Sequence, residues 1–377
     1  MSIHPARLNG LDHLRAMAIM FVFFFHYFII SKGEPEWLPG VAKFGWTGVD
    51  LFFVLSGFLI AAQLFARIKA GQPLSYRDFF LRRVFRIIPA YLVTVGLYFV
   101  FPAFREREAL PPLWRFLTFT QNLGLNLKDS GTFSHAWSLC VEEHFYLFLP
   151  LILILLQQTG RFRRASWLLM IFFLGGFAVR YVSYVYLYGP FQTDDASWMY
   201  WYRYIYYPTY TRLDGLLAGV TIAALSVFAP VRWQTVASYG NWLLLPGLLM
   251  LTAAYFLCKD QQTFSASVFG FPLIALGFGC IVGTALSPAS VLFRWYSPVT
   301  SLLANLSYAL YLTHKGIIHL TRELLAGNEL HPNLMLVICT ITCLTGAYAM
   351  HILIEKPFMR LRHRVTTSVE TQHLASH

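Results

Sequence analysis

Charge is what this sequence has least of. Only 12% of its 377 residues are Asp, Glu, Lys or Arg, against roughly 25% in an ordinary soluble domain, and that shortage excludes a fully water-facing surface. Cysteine is scarce as well. Of five, an odd number, Cys258, Cys280, Cys339 and Cys343 lie inside apolar runs and Cys140 lies beside one. With no metal or redox spacing they read as small packing residues, and no metal is expected. A basic face is also missing: 29 Lys and Arg give a net charge of +11, but in short clusters between apolar runs and without a nucleic-acid motif. The excess reads as topogenic charge, with no nucleic-acid partner. No linker, second domain or clear internal repeat is visible. The first apolar run follows His4, Arg7 and Arg15 like a signal peptide, yet Ser31, Lys32 and Gly33 make no small-x-small cleavage site, so the run is expected to be retained.

What is present is apolar. The chain is 57% hydrophobic and 17% aromatic, its mean hydropathy is +0.54, and its apolar runs are each about as long as a 30 Å hydrocarbon core requires. This predicts an all-α, polytopic membrane protein with about ten spans: residues 14–30, 47–66, 85–103, 137–156, 166–188, 212–229, 240–258, 266–286, 297–318 and 334–354. Residues 111–123, opened by Pro111 and Pro112, are too short to cross and read as an interfacial or re-entrant segment. Positive residues are retained on the cytoplasmic side. Arg67, Lys69, Arg77, Arg82, Arg83 and Arg86 in one loop and Arg161, Arg163 and Arg164 in another therefore predict cytoplasmic N and C termini, in agreement with Arg360, Arg362 and Arg364. Residues 1–365 read as a single membrane domain and 366–377 as a short cytoplasmic tail.

Ionisable groups inside spans are costly unless paired or hydrated, so each is a candidate site residue. Arg15 and His26 are 11 residues apart, about three helical turns, which places them on one face ~16 Å apart along the axis. Arg15 is expected inward and His26 outward. The fourth span opens with His135, Trp137 and Ser138 and then carries Glu142 and Glu143; one of these acids is expected at the depth of His26, fixing its tautomer. The other would pair with Arg212 or a hydroxyl. Asp50, Arg212, Asp214 and His314 are expected in the same outer leaflet, completing a buried polar site. The loop 198–210, with Trp198, Tyr207 and Tyr210 among eight Trp and Tyr residues, reads either as an interfacial aromatic belt or as a stacking platform for sugar rings.

These residues fall in blocks that resemble the membrane acyltransferase-3 family. LDHLRAMAIMFVFFFHY carries that family's Arg-x10-His signature at Arg15 and His26. GWTGVDLFFVLSGFLI (45–60) looks like its second-span motif and FFLRRVFRIIPAYL (79–92) like its basic loop. HAWSLCVEEHFYLFLPL resembles its Trp-Ser-Leu-x-Val-Glu-Glu-x-Phe-Tyr pattern, and TRLDGLLAG, SYALYLTH and EKPF follow in order. Cys140 stands where Ser is frequent and Ala16 where Gly is frequent; neither change removes an ionisable group. The resemblance implies a multi-pass enzyme of the cytoplasmic (inner) membrane with no tightly bound cofactor. Its co-substrate would be cytoplasmic acyl-CoA, usually acetyl-CoA, and its acceptor a carbohydrate or glycoconjugate hydroxyl. Since the chain closes soon after the tenth span, without the hydrolase-like domain that some relatives append, the acceptor is expected to meet the membrane domain or a partner.

On that reading Arg82, Arg83 and Arg86 bind the nucleotide phosphates of CoA, and Arg15 guides the thioester. His26 acts as general base or as acyl-carrying nucleophile, supported by Glu142 or Glu143, with Arg15 or another cation at the oxyanion. Asp50, Trp137, Ser138, Tyr207, Tyr210, Arg212, Asp214 and His314 are the expected substrate-binding residues. Two other classes remain open on the residues alone, a proton-coupled carrier and a receptor without chemistry. The lack of repeated halves and the family motifs stand against the carrier. Acceptor identity, acyl length and oligomeric state stay open.

Overall fold

The computed structural model describes residues 9–107, 109–160, 165–362 and 364. Arg161, Arg163, Arg164 and the tail 366–377 lie outside the described residues. The long helices are α1 (Asn9–Ile30), α2 (Gly48–Lys69), α3 (Tyr76–Val100), α4 (Trp137–Gln158), α5 (Ala165–Val182), α6 (Asp214–Phe228), α7 (Leu244–Leu257), α8 (Phe271–Leu286), α9 (Pro298–Leu324) and α10 (Pro332–Met350). No strand occurs among the described residues. In hydrocarbon every backbone group needs an internal partner, and a helix supplies those partners within one segment.

Each expected span corresponds to one of these helices. Eight helical segments among the described residues are long and apolar enough to cross a membrane. A ninth is the pair formed by α6 and Pro230–Ser238, bent by 112° at the break, if the two count as one span. The remaining helix, α9, is 27 residues long but carries His314, Lys315, His319 and Arg322. Its polarity follows from its position, since it packs against α1 and α10 inside the bundle.

Among the described residues the most extensive helix packing is α2 against α6. Glycines make that approach possible: a Cβ on Gly57 would strike the Leu216 carbonyl, and one on Gly219 would strike the Val54 carbonyl. Gly215 and Gly219 are four residues apart, the small-xxx-small spacing that lets helix backbones meet in lipid. Helices α1 and α9 run in the same direction, because His13 reaches Thr300 at one end and His26 reaches His314 at the other.

The segment expected at the interface, 111–123, forms a short helix at Leu113–Leu117. It then folds inward, burying Gln121 and Asn122, whose amides donate to the Tyr91 hydroxyl and the Tyr207 carbonyl.

Candidate functional site: two polar cavities along the first helix

Near the C-terminal end of α1 three imidazoles meet. The rings of His26 and His314 are 4.9 Å apart, those of His135 and His314 5.1 Å, and those of His26 and His135 5.7 Å. The hydrogen bonds fix the tautomers. Nδ1 of His314 lies 2.9 Å from the Leu310 and Tyr311 carbonyls, which only accept, so Nδ1 carries the proton. With both rings neutral, Nε2 of His314 then accepts from Nδ1 of His26 at 2.9 Å, and Nε2 of His26 keeps its lone pair. That nitrogen has no hydrogen-bond partner among the described residues, and His26 lines a cavity of about 200 Å³. Its wall is largely aromatic, with Trp137, Trp198, Tyr206 and Tyr207 among the rings, and its polar side carries Arg107, Ser134, His135 and Lys315.

The third imidazole is delivered by local backbone geometry. Phe133 is left-handed, at φ 57°, and turns the chain into the short 3-10 helix Ser134–Ala136 from which α4 starts. The turn is held by Thr132, which donates to the Arg107 carbonyl at 2.7 Å, and by the Phe133 amide, which donates to Glu106 at 3.1 Å. Glu106 in turn holds Lys315 at 2.7 Å. Glu106 lies outside the spanning helices. Burial raises its carboxyl pKa, but the Lys315 ammonium and backbone donors outweigh that and hold it below the usual carboxylate value.

A second cavity, of about 250 Å³, opens near the N-terminal end of α1. Arg15, Arg83, Arg86, Glu142, Glu143 and Tyr146 give it its charge and polarity, with Ser138 and Tyr311 at its far wall. Tyr146 donates to Glu142 at 2.7 Å and is hydrogen-bonded to Ser56, and Arg83 donates to Gln63 at 3.3 Å. Val49 and Tyr311 line both cavities. At that junction the Tyr311 hydroxyl donates to the His135 carbonyl and is bonded to Ser138 at 2.6 Å.

Several expected placements are corrected by this geometry. Neither Glu142 nor Glu143 supports His26. They lie seven and eight residues beyond His135 on the helix that leads away from it, about 10 Å further along, and so share the cavity of Arg15. His314 orients His26 in their place. Arg212 pairs with Asp50 at 2.7 Å and with neither glutamate. Its guanidinium lies 4.0 Å from the Phe271 ring centroid, 4.6 Å from Tyr206 and 5.1 Å from Trp137.

Asp214 pairs with Arg180 at 2.6 Å, and Arg180 also donates to the Thr211 and Val268 carbonyls. Asp50, Arg212 and Asp214 are buried and line neither polar cavity. Because a charge in a low-dielectric interior is tolerated only when paired, these residues tie α2, α5 and α6 together. Tyr210 borders an apolar groove with His144 and Phe148 and does not line the cavity of His26 and His135, and Ser138 belongs to the arginine cavity. Arg82 is exposed and does not line that cavity. Trp137 and Tyr207 do stand in the histidine cavity.

His135, Lys315 and Glu106 were given no role by sequence reasoning. Lys315 carried a usable signal, a cation next to His314 inside a span. Glu106 carried none, since it lies in a connecting loop.

The molecule is thus a polytopic helical membrane protein with an internal ionisable site at each end of its first helix. Residues 8–352 match the family model described as an acyltransferase domain, and the chain belongs to that acyltransferase-3 family. It is 28% identical over 333 residues to the O-acetyltransferase OatA of Staphylococcus aureus strain NCTC 8325, a match covering 83% of this chain and 51% of that protein. It is 25% identical over 375 residues to a putative O-acetyltransferase of Staphylococcus aureus strain COL, covering 94% of this chain and 57% of that one. The chain spans about half the length of these curated relatives. No solved structure matches it. Among the described residues there is no cluster of His, Cys, Asp and Glu able to hold a metal ion.

Proposed function

We propose that this protein is an O-acyltransferase that moves an acetyl group from cytoplasmic acetyl-CoA to a hydroxyl of a carbohydrate or glycoconjugate at the far side of the inner membrane. Family membership and the O-acetyltransferase relatives support the acyl chemistry. The observation that carries the division of labour is the pair of polar cavities that share Val49 and Tyr311 as lining residues. The arginine cavity receives the donor: Arg15, Arg83 and Arg86 supply the guanidinium groups that suit phosphate. With this end of α1 cytoplasmic, both termini are cytoplasmic too, and residues 1–365 act as one domain.

The histidine cavity receives the acceptor, whose sugar ring stacks on Trp137 and Tyr207. Nε2 of His26 takes the hydroxyl proton as the oxygen attacks the thioester carbonyl. The tetrahedral intermediate then expels the CoA sulfur, which takes the proton back from the imidazolium. His314 holds His26 in the tautomer this requires.

The test compares ester-linked acetate, released by mild alkali from the purified surface glycans of a deletion strain, after complementation with wild type or His26→Ala at matched membrane abundance. Acetate restored by wild type alone is the expected result. Acetate unchanged by deletion would defeat the surface-glycan acceptor.

A further inference from the structure

The proposed transfer places negative charge on the former carbonyl oxygen beside His26, and a cation or a set of hydrogen-bond donors has to meet it there. Arg15 does not meet that need. It lies 11 residues from His26 on one helix, ~16 Å along the axis, in the other cavity. Two cations line the histidine cavity itself, Arg107 and Lys315; Arg107 is exposed and donates from Nη1 to the Leu127 carbonyl at 2.8 Å, whereas Lys315 is buried. It follows His314 in the chain, is 8% exposed, and its ammonium contacts Glu106 at 2.7 Å and Ser134 at 3.4 Å. An ammonium has three N–H donors, and these two contacts occupy two of them.

Resting on the acyltransferase reading above, we infer that Lys315 is a catalytic residue whose third N–H binds the thioester carbonyl oxygen and stabilises the oxyanion. Glu106 is the positioning residue that holds it there. The acceptor oxygen bonds to the carbonyl carbon and its proton passes to His26. The oxyanion forms against Lys315, and when it collapses the C–S bond breaks and the thiolate leaves with the His26 proton. Lys315 neither gains nor loses a proton.

A buried pair kept only for folding makes a different prediction, because neutralising both partners together preserves such a fold. The full chain is purified in detergent and given acetyl-CoA, with water as surrogate acceptor, and free thiol is followed with a chromogenic disulfide. The double variant Lys315→Met, Glu106→Gln is expected to keep the wild-type melting temperature and substrate KM while kcat falls about 10²-fold to 10³-fold. Wild-type kcat in a folded double variant would overturn the inference.

If the double variant does not fold, Lys315→Ala is assayed with added ethylammonium. A saturable recovery of rate is expected, and no recovery in a folded variant counts against the role. Glu106→Gln alone, with Lys315 retained, is expected to lose less than the double variant. A wild-type protein that releases no thiol from acetyl-CoA removes the acyltransferase reading itself, and this inference with it.

Discussion

Arg212 and Arg15 are alike in the sequence, each an arginine within or at the edge of an apolar run, yet the fold uses them in opposite ways. Arg212 is 1% exposed, paired with Asp50 at 2.7 Å and enclosed by three aromatic rings. Arg15 opens onto a cavity together with Arg83 and Glu142. The same contrast separates the Asp214–Arg180 pair, which lines neither cavity, from His26, which lines one with a ring nitrogen unpartnered among the described residues. Cost alone does not mark an intramembrane charge as functional. A charge paired with its opposite and walled off from the cavities supports the helices, even though Oδ2 of Asp50 and Nη1 of Arg212 keep no hydrogen-bond partner, and one left facing a cavity is available to a ligand.

Substitutions sharpen that contrast, and the largest effect belongs to the open side. His26→Ala removes the proton acceptor and is expected to slow acetyl transfer by about 10³-fold when rates are compared per folded protein. Arg212→Met leaves Asp50 buried and unpaired, which costs about 3–5 kcal/mol. Its expected signature is a fall in thermal stability and membrane abundance, with most of the loss recovered when Asp50→Asn is added. An Arg212→Met protein that is fully stable but inactive would break the comparison. The smallest contrast is within the aromatic loop. Tyr207→Ala is expected to raise the acceptor KM about tenfold, the loss of one stacking contact of roughly 1.4 kcal/mol. Tyr210→Ala, on the apolar groove, is expected to leave the rate within about twofold.

The sequence disclosed what one helix contains and concealed what several helices share. Arg15 and His26 lie on one helix, so their spacing alone fixed their separation, and they occupy separate cavities near its two ends. Glu142 and Glu143 were misplaced for a related reason. The start of α4 at Trp137 is where the apolar run places it; what a run does not report is how α4 is staggered along α1, and the left-handed Phe133 and the 3-10 turn after it set His135, not the glutamates, beside His26. The Asp50–Arg212 contact spans 162 positions and depends on the close approach of α2 and α6 through Gly57 and Gly219. His135 was visible as a polar residue at a span's edge. Its place beside His26 and His314 emerges only when three helices are assembled.

The division between a donor cavity and an acceptor cavity is tested most directly by acetyl-CoA binding to the detergent-purified full chain, measured by titration calorimetry in wild type, Arg83→Gln and His26→Ala. Arg83→Gln is expected to weaken binding about tenfold or more, the loss of a charge-assisted hydrogen bond, while His26→Ala binds as wild type does. Equal weakening by both variants, or unchanged binding in Arg83→Gln, would contradict the account.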